Sequence, residues 1–173
     1  NNTNSIKVEA IRFNRYIGTQ AHKFKHVVVI PGNHEFYPDI LSVILSNATH
    51  YLRDKIITIE GIKIYGSRFK AYNHWWPTGY PKDAKKSFSD ANETDIDVFL
   101  THQCPYFEHF NKNFFRMGNE NMNETVLKIK PLVHIFGHDH HVNGTLIYEG
   151  VQFIAAACDA GANKNLRPPI VFD

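Results

Sequence analysis

Val27-Val28-Val29-Ile30-Pro31-Gly32-Asn33-His34-Glu35 joins a continuous β-branched run to a glycine turn and then to two side chains able to bind a metal. Four apolar residues without alternation predict a strand covered on both faces. Upstream, from about Ser5 to Phe24, apolar residues at Ile6, Ala10, Ile11, Phe13, Ile17 and Ala21 follow a spacing closer to a helix than to a strand. An amphipathic helix feeding a doubly covered strand implies an α/β layered fold.

Downstream, Asp39 to Ser46 predicts a short helix, with Asp39 as its cap after Pro38. Ile56 to Ile59 and Ile62 to Tyr65 flank Glu60-Gly61, which predicts a hairpin with a two-residue turn. Between Lys70 and Asp95 the pattern gives way to Trp75-Trp76-Pro77 and Gly79-Tyr80-Pro81, a long irregular connection of the kind that often carries function. Order returns with two buried strands, Ile96 to Leu100 and Leu132 to Phe136, and between them a capped helix from Asn123 to Lys130, stopped by Pro131. Thr145 to Tyr148, Val151 to Ala156 and Ile170 to Phe172 predict further short strands. No internal repeat interrupts this order.

The 173 residues, 43% hydrophobic and 13% aromatic, suffice for one domain over 1–173 with a substantial core. A net charge of +2 without a long run of one sign offers no nucleic-acid groove, and no stretch has the apolar length of a membrane span. The chain starts at Asn1 rather than Met, so an earlier segment and any targeting signal are expected to precede it. Cys104 and Cys158 are too few for a disulfide framework and read as thiols of a reducing, cytoplasmic compartment. Asn-x-Ser/Thr tripeptides such as those at Asn47, Asn123 and Asn143 are coincidence in an Asn-rich chain.

Three predicted strands, ending near Ile30, Leu100 and Phe136, each deliver polar residues directly after their last apolar one: Asn33 and His34, then His102, then His138 and His140. Open α/β sheets place their sites at such carboxyl ends. Imidazole suits Zn, Fe or Mn, and an Asn carbonyl adds a hard neutral oxygen, so the set points to a catalytic metal site.

Gly32-Asn33-His34-Glu35, Thr101-His102 and Gly137-His138-Asp139-His140 resemble, in order and spacing, the last three motifs of the calcineurin-like metallophosphoesterase family. The family's first two, Asp-x-His and Gly-Asp, have no counterpart here. Similarity extends from the helix before Gly32 through the Tyr65-Gly66 hairpin and the Trp-rich loop to Arg167-Pro168-Pro169-Ile170-Val171-Phe172-Asp173, and is to the small animal metallophosphoesterase domain-containing subgroup. The resemblance implies a two-sheet sandwich flanked by helices, lacking its N-terminal strands. It implies that Asn33, His102 and His138 bind one divalent ion, that His140 helps bind a second, and that His34 sits by the scissile phosphate as proton donor or phosphate contact. It further implies hydrolysis of a phosphate ester by a two-metal-activated hydroxide, with nucleotides or cyclic nucleotides as substrate class. Gln103-Cys104-Pro105 departs from the Gly-Pro-Pro that commonly follows the family's histidine.

Other candidates carry plainer readings. His141 follows His140 and points the opposite way in an extended segment. His22, His26, His50, His109 and His134 lack a partner at ligand spacing and read as surface or core residues, Glu35 and Cys104 as structural, and Asp159 as a loop acid. His74, Trp75 and Trp76 read as aromatics that plug a loop onto the core. Two alternatives stay open: a degenerate member that binds a nucleotide or protein without hydrolysis, and a mononuclear site built from Asn33, His102, His138 and His140.

Overall fold

The computed structural model describes residues 2–34, 38–67, 88, 95–106, 118, 120–140, 142–159 and 166–173. The Trp-rich loop, Glu35, His109 and His141 lie outside these residues. In chain order the elements are α1 (Asn2–Ala21), β1 (Val28–Val29), α2 (Pro38–Ile44), β2 (His50–Tyr51), β3 (Lys55–Ile59), β4 (Ile62–Gly66), β5 (Val98–Thr101), α3 (Glu120–Ile129), β6 (Val133–Phe136), β7 (Asn143–Tyr148) and β8 (Val151–Ala156).

The strands form two sheets. β1 and β2 pair in parallel, and the other six lie in the order β3-β4-β5-β6-β8-β7. β4, β5, β6 and β8 are mutually parallel, with antiparallel β3 and β7 at the two edges. All four parallel strands therefore end at the same rim, and the loops after β5 and β6 emerge side by side.

Both edge hairpins close through two-residue turns. Glu60 and Gly61 have φ of 52° and 89°, and Glu149 and Gly150 have φ of 49° and 82°, the paired positive values of a type I′ turn that matches strand twist.

Phe99, Phe136, Phe153 and Ala155 from β5, β6 and β8 bury one face of the large sheet together with Tyr65, Phe88, and Met122 and Val126 of α3. A second core joins Ala10 and Ile17 of α1 to Leu41 and Leu45 around α2, against Val27, Val29 and Tyr51. The sheets approach at Gly66, where an added β-carbon would overlap Leu52 Cβ and come within 2.9 Å of Ile30 Cγ2.

Five details differ from the sequence reading. β1 spans Val28–Val29 alone, and both residues are half-buried rather than covered on both faces. α2 begins at Pro38, so Asp39 lies inside its first turn rather than capping it, and Pro is suited to that position because a first-turn N–H has no intrahelical partner. α3 begins at Glu120, three residues before the expected cap Asn123. Ile170 to Phe172 form no strand; Pro168 and Pro169 offer no N–H to a ladder, and Val171 is 88% exposed. β2 was not foreseen: two residues carry no periodicity.

Candidate metal centre

At the rim, β1 runs out through Pro31 into a turn carrying Asn33, half-buried, and His34, exposed. β5 ends at Thr101, and His102 follows in a bend. After β6, the Asp139 N–H donates to the Gly137 carbonyl at 2.8 Å, which closes a tight turn around His138 with its φ at 66°. A positive φ at the centre of a three-residue turn is rare and strained, and strain of this kind collects at functional sites.

These three loops bring three donor atoms together. His102 Nε2 lies 2.8 Å from Asn33 Oδ1 and 3.1 Å from His138 Nδ1. With ligand bonds of about 2.0 to 2.2 Å, neighbouring ligand atoms around one cation stand roughly 3 Å apart. His102 Nε2 carries at most one proton, whereas a cation in their midst would satisfy all three lone pairs at once. Two imidazoles and an amide oxygen are a fitting partial donor set for Zn, Fe or Mn. Among the described residues no three His, Cys, Asp or Glu side chains cluster to hold a metal, since the third donor here is an Asn.

His140 is placed differently. Its Nδ1 lies 3.5 Å from Asp159 Oδ2, both side chains about half exposed, so the ion pair itself contributes little. Its position comes from Arg167, whose Nη2 donates to the His140 carbonyl at 2.8 Å and Nη1 to the Ala157 carbonyl at 3.0 Å. The Arg167 N–H also donates to the Cys158 carbonyl at 2.8 Å. Asp159, read from the sequence as a loop acid, thus faces an imidazole.

Beneath His102, His134 is fully buried, ringed by Phe99, Phe136 and Phe153 with centroids 5.1, 5.3 and 5.6 Å away. Its Nε2 lies 2.9 Å from Thr101 Oγ1, which lies 2.7 Å from the Gln103 carbonyl. A carbonyl only accepts, so the hydroxyl donates to Gln103 and accepts from His134 Nε2–H. Nδ1 is then the bare nitrogen, without a hydrogen-bond partner among the described residues. Burial pulls the His134 pKa down to about 3.

His26 and His50 do have partners: each other. The β1–β2 register sets His50 beside Val28 and leaves His26 Nδ1 3.2 Å from His50 Nε2. One hydrogen bond accounts for this pair.

Residues 3–142 match the calcineurin-like phosphoesterase family. A UPF0046 protein of Caenorhabditis elegans is 32% identical, over 98% of this chain and 63% of that protein. Metallophosphoesterase domain-containing protein 1 of Homo sapiens is 24% identical over 95% of this chain and 59% of its own length. The chain thus spans less than two thirds of these relatives. Among solved structures, TT1561 of Thermus thermophilus superposes with a TM-score of 0.60 at 12% identity, covering 89% of this chain and 71% of that one, a likeness of fold. Among the described residues no helix is long and apolar enough to cross a membrane.

Proposed function

The chain belongs to the calcineurin-like phosphoesterase family, and on that premise we propose that it is part of a metal-dependent phosphodiesterase acting on nucleotides or cyclic nucleotides. The observation that carries this reading is the meeting of Asn33 Oδ1, His102 Nε2 and His138 Nδ1 at the strand-end rim. The family typically binds two metals. Asn33, His102 and His138 would hold one divalent ion of Mn, Fe or Zn, and His140 would help hold the other, with carboxylates from elsewhere in the whole protein completing the set. When bound, such ions polarise the phosphoryl oxygens and lower the pKa of the attacking water. His34, exposed beside Asn33, would contact the phosphate and give its proton to the leaving oxygen. Hydrolysis then rests on donors fixed before the substrate arrives.

The close approach at Gly66 supports a two-sheet sandwich belonging to one domain, and cytoplasmic location is part of the same proposal. The alternative is a nucleotide- or protein-binding member without catalysis. Full-length protein loaded with Mn(II) and given bis(p-nitrophenyl) phosphate separates the two. Release of p-nitrophenol that a chelator abolishes is the expected result; Mn(II) binding without turnover on this substrate or on cyclic nucleotides would favour the binder.

A further inference from the structure

We propose that His134 is a positioning residue for His102, acting through the Thr101 hydroxyl, and that it sets the affinity of the Asn33–His102–His138 site for its metal ion; this rests on reading those three side chains as ligands of one ion.

A phenylalanine would fill the space His134 occupies among Phe99, Phe136 and Phe153. What the imidazole adds is an N–H aimed at Thr101 Oγ1, 2.9 Å away. That oxygen spends its one proton on the Gln103 carbonyl at 2.7 Å, so its lone pair needs a donor, and in this aromatic setting His134 supplies one. The pair of bonds spans His102: its preceding side chain is tied to its following carbonyl. The His102 carbonyl in turn accepts from the Gly137 N–H at 3.1 Å. His102 is thereby held on the side of the buried core and on the side of the neighbouring loop, with Nε2 already against Asn33 and His138. Placing a polar ring in an aromatic core with Nδ1 unmatched is unfavourable by itself. Fixing the backbone of a ligand compensates for it in function, because groups behind a ligand decide how much ordering remains when the ion binds. The low pKa keeps the ring neutral, so the direction of donation does not change across the physiological range.

The test is a titration of full-length protein with Co(II), read by visible absorption, alongside thermal melts, for wild type, His134→Phe, Thr101→Val and Thr101→Ser. Expected are roughly 10- to 100-fold weaker Co(II) binding for His134→Phe and Thr101→Val, the range typical of groups behind a metal ligand. Thr101→Ser, which keeps the hydroxyl, is expected to rescue affinity, and His134→Phe to melt cooperatively at no lower temperature. Wild-type affinity in His134→Phe, or Thr101→Ser as weak as Thr101→Val, would overturn the proposal. If His134→Phe does not fold, the Thr101 pair decides by the same criterion. A wild type that takes up no Co(II) overturns the metal reading itself and this inference with it, whereas a wild type that binds while the variants match it overturns this inference alone.

Discussion

The backbone N–H of Gly137 donates to the carbonyl of His102 at 3.1 Å, one step beyond the last ladder pair of β5 and β6, Thr101 with Phe136. The sheet ladder thus continues into the loops that carry His102 and His138. Among the described residues, a β-carbon at Gly137 would meet only the His102 oxygen, at an ordinary 3.9 Å. Gly137→Ala keeps the N–H and is expected to change stability by less than about 0.5 kcal/mol. Gly137→Pro deletes the donor and is expected to cost about 1 to 3 kcal/mol in urea unfolding and to weaken Co(II) binding. Equal behaviour of the two variants would mean that this bond does not hold the loops together.

Gly66 packs directly against Leu52 and Ile30 of the other sheet's segments, so size is the constraint there. Gly66→Ala would push into Leu52 and Ile30, and overpacking of a tight contact costs about 1 to 3 kcal/mol. The urea midpoint should fall, and Leu52→Gly added to Gly66→Ala, which takes away the Cβ in the way, should recover part of the loss relative to the sum of the single changes. Strict additivity would argue that Leu52 is not the obstacle.

The pH dependence of stability should carry the signature of His134. Its pKa is about 3 in the folded chain against an ordinary 6.5, so as pH falls the unfolded chain takes up the proton first. Between about 6.5 and about 3 the unfolded state binds more protons, and stability declines by about 1.4 kcal/mol per unit, returning in full above about 6.5. His134→Phe removes this contribution. Unfolding free energies at about pH 7 and about pH 5 should therefore differ less in the variant than in wild type, by about 2 kcal/mol. Parallel pH profiles would show that the ring is accessible to protons.

What the sequence disclosed and what it hid follow from range. The Glu60-Gly61 turn and β8 were readable because a turn preference and an apolar run are properties of neighbouring residues. Asn33, His102 and His138 stand out because each comes after the apolar run of a strand; the parallel pairing of β5 and β6 gathers the ends that carry His102 and His138, and Asn33 comes to them from β1 of the other sheet. The His26–His50 contact depends on a two-residue parallel ladder between segments far apart in the chain, which leaves no local mark. The support of His140 by Arg167 goes entirely through backbone carbonyls, which every residue possesses. The sequence leaves His134 as either a surface or a core residue; its burial and its bond to Thr101, which joins β6 to β5, belong to the packing.

Arg167 gives a way to separate the two halves of the candidate centre. Its guanidinium bridges the His140 and Ala157 carbonyls, and no other side chain has a planar fork of this reach. Arg167→Met keeps the aliphatic stem and loses both bonds. The expected outcome in calorimetric titration with Mn(II) is loss of a second binding event while the first, assigned to Asn33, His102 and His138, keeps its affinity. Two unchanged events would show that His140 does not depend on the strap.

His34 is the residue on which a catalytic role, rather than metal binding alone, can be decided. It adjoins Asn33 in the turn after β1 and is exposed, whereas His102 and His138 are half-buried and face one another. His34→Asn preserves a polar side chain and removes the group that can hand a proton to the leaving oxygen. Turnover of bis(p-nitrophenyl) phosphate should drop by about 10²- to 10⁴-fold, with metal content by elemental analysis near that of wild type. His102→Asn should lose metal and turnover together. If His34→Asn loses both in parallel, His34 belongs with the ligands and the proton must come from elsewhere; if it loses neither, it has no part in the reaction. Loss of turnover alone, with the metal retained, is the outcome that a proton donor beside the phosphate requires.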